Sequence, residues 1–135
     1  LGMGSQEKIA AFFSRGPHAV VGASQDRDKY GNKVLRCYMQ HQRRVFPVNP
    51  HAAQIEGLTA YAALDALPEP VHGLSIITPS YISETIVAQA VALGIGHVWM
   101  QPGAESPNAI QRAETAGLSV IADGSCILVV MGYSE

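Results

Sequence analysis

The sequence predicts a doubly wound α/β fold, a mostly parallel sheet with helices on both faces. Apolar runs of four to six residues alternate with segments of helical periodicity along the whole chain. Such runs are continuous rather than alternating, as strands covered on both faces are. The chain has 135 residues, of which 47% are hydrophobic, which is one domain with a sizeable core.

Ser5 is the expected N-cap of a first helix with Ile9, Ala10, Phe12 and Phe13 on one face, stopped by Gly16-Pro17. This helix, within 1–16, is expected to pack on a domain spanning 17–135. His18-Ala-Val-Val-Gly22 reads as the first core strand. Asn32 is the expected cap of a second helix, with Val34, Cys37, Tyr38 and His41 on one face. Arg44 to Val48 is the next strand, and its Pro47 suits an edge or an end. Gly57 to Tyr61 reads as a short edge strand, and Ala62 to Leu67 as one or two helical turns. Gly73 to Thr78 is a buried strand; Ser80 or Ser83 caps the helix that follows, and Gly94 or Gly96 ends it. His97 to Met100 is a strand, Ser106-Pro107 opens a helix in the favoured cap-then-proline order, and Ala116-Gly117 closes it. Leu118 to Ala122 is the last clear strand. Right-handed crossovers between such strands leave a Rossmann-like doubly wound sheet.

Charged residues are only 15% of the chain and the formal net charge is −2, which argues against disorder and against a nucleic-acid coat. No apolar run reaches the roughly 18 residues of a membrane span, and no secretion signal is visible. Two cysteines, Cys37 and Cys126, are too few for a disulfide scaffold, so a reduced, cytoplasmic domain is expected. The basic residues are unevenly placed. Arg27, Lys29, Lys33, Arg36, Arg43 and Arg44 lie between Asp26 and Arg44, with only Asp26 and Asp28 against them. That stretch is expected to meet an anion.

In doubly wound sheets ligands bind beyond the carboxyl ends of the strands, where strand order reverses. The loop from Gly22 to Asn32 leaves the first strand and enters a helix. Small residues there let backbone approach a phosphate, and the helix N-terminus supplies free N–H groups. Ser24 adds a hydroxyl, Lys29 and Lys33 add charge, and Tyr30 is placed to lie against a sugar or base. The loop departs from G-x-G-x-x-G, since Ser24 and Arg27 hold the second and third glycine places. At the end of the second strand stands Asn49, where NAD-binding folds carry an acid for the ribose 2′-hydroxyl. Its absence counts against NAD and is compatible with a phosphorylated ribose, as in NADP or coenzyme A. Taken alone, Asn49-Pro50 reads as a turn. Thr78-Pro79-Ser80 offers a hydroxyl and amides along a ligand, or simply a capped helix start. Gln101 to Ser106 is polar enough to close one side of a cleft.

The five histidines form no metal-ligand spacing, and no nucleophile elbow appears. Cys37 reads as core, Trp99 as buried packing, and Cys126 as core near a possible further strand.

Several strings together resemble the small stand-alone CoA-binding domain family. They are Val20-Val-Gly-Ala-Ser24, Tyr30-Gly-Asn-Lys-Val34, Arg44-Val-Phe-Pro-Val-Asn-Pro50, Ile55-Glu-Gly57, His97-Val-Trp-Met-Gln-Pro-Gly103 and Ala113 to Val120 followed by Asp123. The resemblance runs from about Pro17 to Cys126. It implies a Rossmann-like fold similar to the CoA-binding domain of the succinyl-CoA synthetase alpha subunit. It also implies that CoA or an acyl-CoA is bound without chemistry of the chain's own. Carried over, Gly22, Ala23 and Ser24 line the pyrophosphate, and Lys29, Tyr30 and Asn32 lie near the phosphates and ribose. Val48, Asn49 and Pro50 border the adenosine, and Thr78 and Pro79 the pantetheine. Where that family often runs Asp-Arg-Cys, this chain has Gly124 and Ser125 between Asp123 and Cys126. The expected partners are a small nucleotide ligand and an unidentified protein, with no nucleic acid and no membrane. The alternative is a small NADP-dependent oxidoreductase or a CoA-disulfide-handling enzyme using Cys126. A pure interaction subunit with a vestigial cleft is a third.

Overall fold

The structure, a computed structural model, describes residues 3–135. In chain order it runs α1 (Ser5–Phe13), β1 (His18–Val21), α2 (Tyr30–Gln40), β2 (Val45–Val48), a hairpin of β3 (Gln54–Ile55) and β4 (Leu58–Thr59), then β5 (Gly73–Ile76), α3 (Ser80–Leu93), β6 (His97–Met100), α4 (Pro107–Thr115), β7 (Ser119–Ile121) and α5 (Ile127–Met131). Leu1 and Gly2, at the head of the segment expected over 1–16, lie outside the described residues.

Five strands pair in parallel in the order β2-β1-β5-β6-β7. The register sorts the strand residues into two faces. Ala19, Val21, Leu74, Ile76, Val98 and Met100 pack with Val87 and Ala90 of α3 and Ala109 and Ala113 of α4. Val20, Trp99 and Ile121 point to the other face, with Phe12 of α1, Val34, Leu35 and Tyr38 of α2, and Ile127 of α5. The sheet is therefore doubly wound and Rossmann-like. Pro47 sits on the edge strand β2, where its missing N–H leaves no gap in the middle of the ladder. Phe12 lies over Gly73, where a Cβ would come within 2.8 Å of its ring.

Local readings need correction where a distant contact overrides them. Ser5 is the first residue of α1, capped by Gly4, because the Ser5 hydroxyl donates to Asp123 at 2.9 Å instead. Asn32 does not cap α2, which begins at Tyr30 after Lys29. Neither Ser80 nor Ser83 caps α3; Pro79 holds that place, and the Ser83 hydroxyl donates to its carbonyl at 3.3 Å. His41 leaves the buried face of Val34, Cys37 and Tyr38 and ends the helix in solvent. β4 pairs with β3 rather than with the main sheet, and Tyr61 alone bridges to Val48. Beyond Cys126 there is no strand but the short helix α5. Asp123 Oδ1 accepts from Ser125 N at 3.1 Å, and Gly124 turns at φ 89°, which ends extension there. Ser106 behaves as expected, accepting from Ala109 N ahead of Pro107.

Candidate functional site

β1 and β5 are neighbours, and the chain runs from β1 to β2 on one side and from β5 to β6 on the other. Their carboxyl ends are the switch point of the sheet. Gly22 leaves β1 with φ 90°, and a Cβ there would lie 2.0 Å from the carbonyl oxygen of Ile77. Gly31, in the first turn of α2, comes equally close to the carbonyl oxygen of Gly22. Both positions exclude any side chain, so the β1–α2 turn and the start of α2 are pressed against the end of β5. The helix N-terminus, with its unpaired amides, thereby faces the turn.

A hollow of about 590 Å³ opens at this place, lined by Gly22, Ala23, Ser24, Lys29, Tyr30 and Asn49, with Asp28, Gly31 and Ile77 completing it. Beside it lies a second hollow of about 290 Å³, lined by Tyr30, Ile77, Gln101, Pro102 and Cys126. Tyr30 and Ile77 belong to both, so the two form one cleft. Tyr30 is 61% exposed and stands at the junction.

The loop is held from within. Asn32 is fully buried and its Nδ2 donates to the Ser24 carbonyl at 2.9 Å and to Glu56 at 3.0 Å. Its Oδ1 accepts from Arg36 Nε at 2.6 Å. Asn49 Nδ2 donates to the Ala23 carbonyl at 2.8 Å, and its Oδ1 accepts from His51 N at 2.7 Å. Ser24 Oγ accepts from Asp26 N at 3.0 Å. The two asparagines tie the β1–α2 turn to the loop after β2.

The basic stretch does not gather at the turn. Arg43 and Arg44 lie at the opposite end of the sheet, Arg44 in a bidentate pair with Glu69. Arg27 pairs with Glu56 at 3.3 Å. Lys33 lies 2.9 Å from Glu135, whose carboxyl it holds below its usual range, and Arg36 lies 3.6 Å from the same acid. Lys29 pairs with no carboxylate among the described residues and lines the hollow.

Of the expected site residues, Gly22, Ala23, Ser24, Lys29, Tyr30 and Asn49 come together around the larger hollow. Val48 is in the core, Lys33 faces Glu135, and Pro50 lies exposed beyond Asn49. The Thr78 hydroxyl pairs with Ser83 at 2.8 Å, while its methyl lies against the Gly22 turn. Pro79 is spent as the α3 cap. Sequence reasoning passed over Gly31 and Ile77. The signal for Gly31 was a glycine in a helix's first turn, one residue after Tyr30. Cys126 is half-buried at the second hollow rather than core, because Gln101 and the Asp123–Ser125 turn hold it there.

Known proteins share this fold and family. The chain is 25% identical over 121 residues to the alpha subunit of an ADP-forming acetate–CoA ligase of Pyrococcus furiosus, covering 82% of this chain and 26% of that protein. It thus spans about a quarter of that relative's length. A hypothetical protein of Pyrococcus furiosus has a solved structure 36% identical, with a TM-score of 0.79 over 84% of this chain and 97% of that one. A Thermus thermophilus structure is 32% identical, with a TM-score of 0.85 over 94% and 96%. The CoA binding domain family matches residues 18–132, nearly the whole chain, and the protein belongs to that family.

Proposed function

We propose that this domain binds coenzyme A or an acyl-CoA without chemistry of its own, with the ligand's diphosphate at the β1–α2 turn. The observation that carries the reading is the close approach of Gly22 and Gly31 at the switch point. It leaves backbone amides and a helix N-terminus facing a hollow in a chain of the CoA binding domain family. Gly22, Ala23 and Ser24 border the diphosphate, and Lys29 supplies its countercharge. Tyr30 and Asn49 border the ribose and adenine, and the pantetheine runs past Thr78 and Ile77. Asn32 acts by holding the turn rather than by touching the ligand, since its amide is committed to Ser24 and Glu56. A cytoplasmic place and hand-over of the ligand to a protein partner complete the reading.

Calorimetric titration tests it. CoA binds, and Lys29→Ala weakens that binding by about 1–3 kcal/mol. Undiminished binding to Lys29→Ala removes the assignment of the turn.

A further inference from the structure

The smaller hollow has a composition of its own. Ile77, Pro102 and the Tyr30 ring give it apolar walls, and Gln101 and Cys126 are its polar groups. Gln101 follows the last residue of β6 and is only 3% exposed. Its backbone is locked, the N–H donating to Ile76 O at 3.0 Å and the carbonyl accepting from Ala104 N at 2.8 Å. Its side-chain oxygen accepts from Ile127 N at 2.8 Å. That bond settles which way the amide points, because an N–H needs an oxygen opposite it. The NH2 group is left with the Cys126 sulfur at 3.4 Å, a weak acceptor, as its one side-chain bond. A primary amide carries two N–H donors, and a buried donor without an acceptor is costly. An oxygen acceptor entering the hollow would relieve this.

We propose that the smaller hollow takes the acyl end of a short-chain acyl thioester, with the buried Gln101 amide donating to the thioester carbonyl oxygen. The inference rests on the diphosphate lying at the β1–α2 turn. A chain leaving that turn across Ile77 enters the smaller hollow, since Ile77 and Tyr30 wall both. A free thiol arriving there brings Gln101 only a second sulfur. A thioester brings a carbonyl oxygen, and its alkyl group meets Ile77, Pro102 and Tyr30. The volume, about 290 Å³, is on the order of ten water volumes at roughly 30 Å³ each. It accommodates the cysteamine end with an acyl group of a few carbons, and not a fatty chain. Gln101 thereby sets specificity between an acyl-CoA and CoA.

The test is calorimetric titration of the full chain with CoA, acetyl-CoA, butyryl-CoA and palmitoyl-CoA. Acetyl- and butyryl-CoA bind about tenfold more tightly than CoA, the worth of one hydrogen bond to a buried donor. Palmitoyl-CoA shows no such gain. Gln101→Glu keeps an oxygen for Ile127 N and removes the amide donor, and it abolishes the preference for the short acyl-CoAs over CoA. Cys126→Leu fills the hollow and weakens butyryl-CoA more than CoA, whereas Cys126→Ser does not. Equal affinity for CoA and the short acyl-CoAs, or a preference that survives Gln101→Glu in a folded variant, overturns the proposal. If the CoA species bind with dependence on Lys29 but without acyl preference, only this inference falls. If none binds, or Lys29→Ala binds unchanged, the placement of the diphosphate falls with it.

Discussion

His18 donates from Nε2 to the carbonyl oxygen of Phe12 at 2.7 Å, joining the start of β1 to the end of α1. The acceptor is a carbonyl, so Nε2 carries the hydrogen and the ring is the neutral Nε2–H tautomer or the cation. The bond belongs to a row. Arg43, His18, His72 and His97 stand at the amino-terminal ends of β2, β1, β5 and β6, in spatial order. The last carbonyls of a helix lack partners inside it. Here His72 donates to Ala11, His18 to Phe12 and Arg43 to Phe13. The His72 and His97 rings lie 4.1 Å apart.

This row makes stability depend on pH. Burial lowers the His18 pKa from the usual 6.5 to about 4, partly opposed by the Phe12 bond, and Arg43, His72 and His97 push it further down. Between those values the unfolded chain binds the proton and the folded one does not, so stability rises with pH across the window. It is present in full above pH 6.5 and is lost as pH falls towards 4. The loss from His18 is about 3 kcal/mol. Urea unfolding at a series of pH values measures it, and His18→Gln flattens the slope between pH 4 and 6.5. An unchanged slope in that variant would assign the titration to another group.

Two glycines are required and a third is not. Gly31→Ala drives a Cβ into the Gly22 carbonyl, and Gly22→Ala meets the Ile77 carbonyl at a φ of 90°. Each destabilises by about 1–3 kcal/mol or more, and both lose CoA binding because the turn moves away from β5. Gly96 has open space around it and no positive φ. Gly96→Ala is therefore neutral or stabilising by about 0.4–1 kcal/mol. Thermal unfolding of the three variants, with CoA titration, ranks them.

Asn32→Ala removes a hydrogen bond to the Ser24 carbonyl, one to Glu56 and one from Arg36 at once. It costs about 1–3 kcal/mol of stability. It also weakens CoA binding although Asn32 does not line the cleft. Asn49→Ala acts on the same turn through Ala23. Hydrogen exchange at the amides of residues 22–31 reads the loosening directly. A variant with intact protection and intact affinity would show that the asparagines do not position the turn.

Phe12→Ala tests whether α1 is part of the core. Phe12 is 1% exposed and packs edge-on to Trp99 at 5.3 Å and to Phe13 at 5.1 Å. Its loss leaves a cavity over Gly73 and costs about 3–5 kcal/mol. A change below about 1 kcal/mol would show that α1 adds little to the domain.

The five strands of the main sheet, the order of the helices up to α4, the edge position of Pro47 and the Ser106 cap were readable from residues a few places apart. Strand periodicity, proline chemistry and capping act over one or two turns of chain, so neighbouring residues carry them. The β1–α2 turn was readable for the same reason, since a glycine after a strand and before a helix acts locally. The partners of the polar side chains were not. Asn32 finds Glu56, Lys33 finds Glu135, Arg44 finds Glu69 and Ser5 finds Asp123 across separations of 24 to 118 residues. Hydrogen bonds and ion pairs depend on distance in space, and a charge tally along the chain is blind to it. For that reason a run of cations that looked like one anion site is divided between two ends of the sheet. Cys126, expected in the core, meets the same kind of contact at the cleft, a glutamine 25 residues earlier in the chain. Local sequence laid out the layers and the turn; folding in three dimensions assigned each polar group its partner, and so left Lys29 and Gln101 to face the cleft.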